Sequence, residues 1–334
     1  MSAMYGRALV DTLHERVGEE ELLRQRADLP PDDDTGLNGA WVRLLAHDGE
    51  REGGSQGIYG RDGPGYDYRF VALQVGLDLY RAVDEDDNSR DHAGAYLAYG
   101  RGKAEVRHRL PALAEFDAGT DHLEAQTIGG YWTRFSEEGA YFDAVAQYTW
   151  YRLRSTSYRL PEVSTDGTGL ALSLEGGYPF VVANDEEAWH PEDGRWRLEP
   201  QAQVIFQRLS LDDMHDPAGD VRFSDTDSLV ARIGARLDRT GVRKNDEDQL
   251  RTSNAWLRAN IWHEFKGKPR AEFATASGAV PFVASLGGTW YEIGLGGTRQ
   301  VSDTGYLYAD IDYSFSADGR DTAWNGKIGM RWHW

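Results

Sequence analysis

The chain has 334 residues, with 36 Lys and Arg against 55 Asp and Glu, a formal charge of −19 that excludes nucleic acid as an expected partner. It contains no cysteine, so disulfides and thiolate metal sites are excluded. No run of roughly 18 apolar residues exists and no transmembrane helix is expected, although alternating strands can cross a membrane without such a run.

The start, "MSAMYGRALV", lacks a basic segment followed by an apolar one, so no secretory signal is visible. "YGRALVDTLHERVGEEELLRQRAD" (5–28) reads as helical. Val10, Leu13 and Val17 recur at helical spacing, Leu22 and Leu23 continue the pattern, and Gly18 is expected to divide it. "LPPDDDTG" (29–36) is a Pro- and Asp-rich stop. The chain is therefore expected to divide into a helix over 1–28, a turn or linker over 29–37, and a β domain over 38–334.

From there the period changes from about 3.6 to 2. "GAWVRLLA" (39–46) sets Ala40, Val42, Leu44 and Ala46 against Trp41 and Arg43. "FVALQVGLDLY" (70–80), "YFDAVAQYTWYR" (141–152), "RLEPQAQVIFQ" (197–207), "LVARIGARLD" (229–238) and "YLYADIDYSF" (306–315) alternate in the same way. Weaker strands fall near 91–107, 121–135, 167–178, 254–265 and 288–297, and with the closing 322–334 the count is about twelve, separated by turn-rich stretches.

Alternation alone does not say which face is wet. Many of these segments carry ten or more alternating residues, nearer the length a hydrocarbon layer demands than the five or six common in soluble sheets. Glu175, Gln201, Gln203, Arg232, Arg236, Asp310 and Asp312 make an unusually polar second face, suited to a watery lumen. The last strand, read backward by twos, aligns Trp334, Trp332, Met330, Ile328 and Trp324 on one face, with His333, Arg331, Gly329, Lys327 and Asn325 on the other. A sheet that closes on its first strand removes the free edge, and terminal aromatics suit the headgroup layer.

With these features the chain resembles the translocator (β) domain of bacterial autotransporters, type V secretion. The matching stretches are "YGRALVDTLHERVG" (5–18), "GAWVRL" (39–44), "WLRANIWHEF" (256–265), "YEIGLGG" (291–297) and "IGMRWHW" (328–334). The resemblance implies an all-β fold, a transmembrane antiparallel up-and-down barrel of twelve strands in the bacterial outer membrane, with the N-terminal helix inside the pore. It implies secretion or surface display of an N-terminal passenger in cis, with help from the barrel-assembly machinery, which would read Trp324, Ile328, Met330, Trp332 and Trp334. The final Trp334 stands where Phe is more usual in that family. Few residues precede the helix, so neither a passenger nor a signal peptide is expected within this stretch. A helix from about Ala3 to Val17 would span roughly 22 Å, near the height of a barrel's apolar band, with Arg7, Asp11, Glu15 and Arg16 facing the lumen. Arg43, Glu175, Gln201, Gln203, Arg232, Arg236, Asp310 and Arg331 are expected to line that lumen.

Other motifs carry little. "GGSQG" (53–57) fits a hydrolase elbow but lacks the flanking strand and helix. The nine His are scattered without ligand spacing, and "GLGGT" (294–298) lacks the rest of a nucleotide fingerprint, so no metal and no cofactor is expected. Self-cleavage through a helix Asn is not expected, since none occurs within 1–37. The expectation is a monomeric, non-enzymatic translocator. A small porin, an outer-membrane hydrolase built on His47 or His92 with an acidic residue and a Ser, and a soluble β-sandwich remain as alternatives.

Overall fold

A computed structural model describes residues 1–17, 39–52, 64–84, 86–109, 115–158, 161–190, 193–216, 219–245, 249–275, 278–283, 286 and 288–334. The expected linker at 29–36 and the "GGSQG" stretch lie outside these residues.

Among the described residues the strands, in chain order, are β1 (Gly39–Arg51), β2 (Gly65–Val83), β3 (Arg90–Arg109), β4 (Glu115–Phe135), β5 (Tyr141–Ser157), β6 (Val163–Gly177), β7 (Phe180–Ala183), β8 (Trp196–Leu211), β9 (Met214–Asp216), β10 (Gly219–Phe223), β11 (Thr226–Lys244), β12 (Leu250–Glu264), β13 (Arg270–Thr275), β14 (Gly278–Val283), β15 (Thr289–Gln300), β16 (Gly305–Ser316) and β17 (Asp321–His333). A thirteen-stranded sheet carries β7 as an appendage on β8, and the remaining twelve strands close into an antiparallel ring. Closure is the pairing of β1 with β17, in register from Gly39 against His333 to Arg51 against Asp321. No edge is left on the ring for another chain to extend.

The alternation fixes which side faces which medium. On β2, Val71, Leu73, Val75 and Leu77 are about half exposed, while Gln74 between them is wholly buried. On β11, Ile233 is 63% exposed and Arg232 beside it is 1% exposed. Large apolar groups stand outward on every ring strand, whereas soluble monomers rarely expose an apolar patch beyond a few hundred Å². The belt is stable only against lipid.

Connections at the end where β1 begins and β17 finishes are mostly short, such as 136–140 and 301–304. Those at the other end include 52–64, 212–225 and 265–288. Two of these long connections pair β9, β10, β13 and β14 into a separate four-stranded sheet, which the sequence reading did not foresee. Long loops mark the outer side of bacterial barrels.

The N-terminal segment lies inside the ring. Its helix, α1 (Ser2–Val10), stops where Asp11 is extended and Thr12 takes φ +48, and a 3-10 turn follows over Leu13–Val17. The expected unbroken helix to Val17 is thereby corrected: the interruption falls at Asp11–Thr12. A β-branched residue in the left-handed region is strained. Here the Lys327 ammonium donates to the Thr12 hydroxyl at 2.7 Å, and beyond the break His14 and Arg16 reach the neighbouring Glu175 and Asp143 of β6 and β5 while Glu15 reaches Arg258 of β12.

The lumen is also less uniformly polar than its strand faces suggested. Met4, Tyr5, Ala8 and Leu9 of α1 pack against Phe70, Leu123 and Tyr151 of the wall. Lower down, Val10 and Leu13 meet Trp41, Tyr96, Ile205 and Trp262. Gly100 allows one close approach, since a Cβ there would stand 2.3 Å from the Tyr5 ring.

Candidate functional site: the plugged lumen

A helix leaves its last carbonyls without intrahelical partners. No glycine cap closes α1; the wall does. Arg43 of β1 donates to the Leu9 carbonyl at 2.8 Å, and Gln74 of β2 donates to the same oxygen at 3.2 Å. Gln203 of β8 donates to Val10 O at 3.4 Å, and Gln147 of β5 to Gly6 O at 2.7 Å. These side chains come from strands spread around the circumference, so the helix end is held from several sides.

The charges of the segment are matched individually. Glu15 is bound by Arg258 at 2.6 Å, and the other arm of that guanidinium holds Asp312 at 2.7 Å. Arg16 pairs with Asp143 at 2.8 Å, donates to Thr133 at 2.5 Å, and lies 3.8 Å over the Tyr131 ring. Asp11 lies 3.7 Å from Lys327, whose ammonium is also 3.5 Å from both Asp310 and Asp312. His14 stands 2.9 Å from Glu175, stacked on Tyr141, and Arg232 completes that group through Glu175. Arg7, nearer the outer end, covers the face of Trp290 at 4.6 Å. Buried charges are tolerated only when paired, and removing one partner strands the other.

Every lumen residue singled out from sequence lies on the buried inner face: Arg43, Glu175, Gln201, Gln203, Arg232, Arg236, Asp310 and Arg331. They differ in what they touch. Arg43 and Gln203 reach the helix directly, and Arg331 donates to the Arg16 carbonyl at 3.4 Å while pairing with Asp78. Gln201 donates to Glu199, and Arg236 stacks over Trp256, contacts within the wall. On β17, Trp324, Ile328 and Met330 stand outward and Trp332 is half-buried, and Trp334, just beyond the strand, is exposed.

Residues absent from the sequence-derived set hold the segment at least as firmly: His14, Gln74, Thr133, Asp143, Gln147, Arg258 and Lys327. Each shares the inward parity of its strand or lies on the plug itself, and parity was the signal available. What sequence could not supply was the height at which each meets the plug. His47 and His92, each a candidate by itself for a hydrolase site, lie at opposite ends of the barrel. His47, toward the outer end, stacks on Phe70 and Tyr68, whereas His92, at the other end, lies 3.8 Å from an Asp78 carboxylate already engaged by Arg331 and Tyr131.

Comparison with known proteins gives concordant results. A family model described as autotransporter beta-domain matches residues 40–312. The adhesin BmaC autotransporter of Brucella suis biovar 1 is 25% identical over 338 residues, covering 97% of this chain and 9% of that protein. The pertactin autotransporter of Bordetella parapertussis is 26% identical over 310 residues, covering 89% of this chain and 28% of that protein. The chain thus spans under a third of the length of these two relatives. The transport unit of the autotransporter AIDA-I from Escherichia coli superposes with a TM-score of 0.71 at 16% identity, over 95% of this chain and 97% of that one.

Proposed function

Because the chain belongs to the autotransporter beta-domain family, a family of outer-membrane secretion barrels, we propose that it delivers the polypeptide preceding it to the cell surface and then closes its own pore with residues 1–17. The observation that carries this reading is the direction of the plug. Its first residue lies at the long-loop end, where a Cβ on Gly102 of β3 would stand 2.9 Å from the Met1 sulfur. Its last described turn reaches Arg331 near the end of β17, the level at which β1 begins. A chain threaded this way emerges outside and returns to the inner rim before the first strand rises.

The barrel-assembly machinery is the proposed partner for insertion, reading the outward aromatics of β17, and the barrel works as a monomer. The lining offers a passing chain alternating donors and carboxylates, then grips its final segment through the ion pairs above. Deleting residues 1–28 is expected to raise single-channel conductance in planar bilayers severalfold. Unchanged conductance would overturn the plug. A reporter fused ahead of Met1 should become protease-accessible on intact cells, and its retention inside would overturn the transport reading.

A further inference from the structure

The outer face of the wall changes character sharply on the flank formed by β2–β6. Leu97 and Tyr99 on β3, and Tyr148 and Trp150 on β5, are exposed apolar groups. Directly beyond them, toward the long loops, the registers align Arg101, Glu124, Arg152 and Asp166 as successive cross-strand neighbours, and the sign of charge alternates along that rung. One rung further out stand Arg69, Lys103, His122 and Arg154, again as direct neighbours. Strand parity turns both rungs away from the lumen.

The inner of these two rungs compensates itself. The outer one keeps an excess of positive charge, three cations against the single carboxylate of Asp48, which stands opposite Arg69 on β1; Arg69 also lies directly opposite Lys103, and no carboxylate stands between Arg69 and Arg154. Like charges facing each other across an antiparallel pair destabilise it. Lys103 reaches Glu105 at 2.5 Å along its own strand, and Arg154 reaches Glu124 at 3.1 Å diagonally. Exposed pairs of this kind contribute little and exchange readily. A chain of formal charge −19 has no compositional reason to gather cations on this rim.

Depth identifies the medium. From Asp91 to Arg101 on β3 the strand rises about 33 Å, or about 25 Å along the membrane normal at a tilt of roughly 40°, the height of an apolar band. Lys103, two residues further out on β3, therefore stands a few Å beyond the hydrocarbon, at the level of headgroup phosphates, and the strand tilt sets Arg69 and Arg154, one and two strands away, a few Å to either side of that level. We propose that this rung binds the phosphate groups of anionic lipid headgroups in the outer leaflet. Arg69 and Arg154 would present planar forks to phosphate oxygens, with Lys103 as a point charge between them.

The test uses the full chain refolded in detergent, with bis-phosphorylated lipid A titrated by native mass spectrometry, against dephosphorylated lipid A and inorganic phosphate. The variant R69Q/K103Q/R154Q should weaken the phosphorylated lipid by about fivefold per lost cation, on the order of a hundredfold in all, and leave the dephosphorylated lipid unchanged. Heat-modifiable migration verifies that the barrel has formed, and K103Q alone, with its fivefold loss, serves if the triple variant does not assemble. R69K/R154K, which keeps the charges, should retain most of the binding. Equal affinity in wild type and variant, or equal binding of the two lipids, overturns the proposal. Saturable binding of inorganic phosphate in the same concentration range as the lipid would assign a free-anion site and overturn the lipid source.

Discussion

Arg258 offers the sharpest test of how the plug is held. Its guanidinium joins Glu15 of the plug at 2.6 Å to Asp312 of β16 at 2.7 Å, with both pairs almost fully buried. Around it Lys327 is shared by Asp11, Asp310 and Asp312, so the cluster holds two cations and four carboxylates, formally 2 − 4 = −2. Arg258→Gln takes this to −3 and leaves Glu15 facing Asp312 without a cation between them. Breaking a buried pair from one side costs about 3–5 kcal/mol. Asp312 remains in the wall whether or not the plug is docked, and it keeps Lys327, so the share that falls on docking is about 3 kcal/mol, at the lower end. That shifts the ratio of docked to undocked plug by on the order of a hundredfold. Glu15→Gln acts differently: Arg258 keeps Asp312, the cluster falls to −1, and the expected cost is only about 1 kcal/mol, an ordinary hydrogen bond's worth. The double variant returns the cluster to −2 and should be less open than R258Q alone. Single-channel recording in planar bilayers, with heat-modifiable migration to verify the barrel, reads all three as open probability. If R258Q is no more open than wild type, or if the double variant opens as the sum of the singles, the ion-pair account of the plug fails.

Gly100→Val should force Tyr5 from its place against Phe70 and Tyr151, costing docking about 1–3 kcal/mol and raising conductance, whereas Gly130→Ala, whose Cβ meets nothing closer than 3.5 Å, should do neither. Equal conductance in the two would show that Tyr5 packing does not seat the helix. Ile233→Arg places a charge on the lipid face near mid-strand and should lower barrel stability by about 2–4 kcal/mol in urea titrations in lipid vesicles. A change within about 0.5 kcal/mol, typical of a solvated surface site, would contradict the outward assignment of that face. W332A/W334A should reduce the barrel inserted in the outer membrane of cells severalfold while leaving refolding into detergent unchanged. A parallel fall in both would mean the rings anchor the strand rather than signal for assembly.

The sequence by itself determined the two faces of each strand. Gln203, Arg232 and Arg236 turn inward and Val75, Ile233 and Trp324 outward because side chains alternate with period two, a property of one strand that needs no partner. The aromatic last strand and the helical opening were legible for the same local reason. The partners were not. Arg258 and Glu15 are 243 residues apart, and Lys327 meets Thr12 across 315, so their meeting depends on strand stagger around the ring and on the height at which the plug stops. The break at Thr12 likewise answers to where the wall places Lys327, Arg258 and Asp143, which helical periodicity could not foresee. The four-stranded outer sheet was not legible because β9 and β10 have only three and five residues, too short for an alternating pattern to stand out. Strands that short hold their shape only once β13, about fifty residues on, supplies the hydrogen-bonding edge.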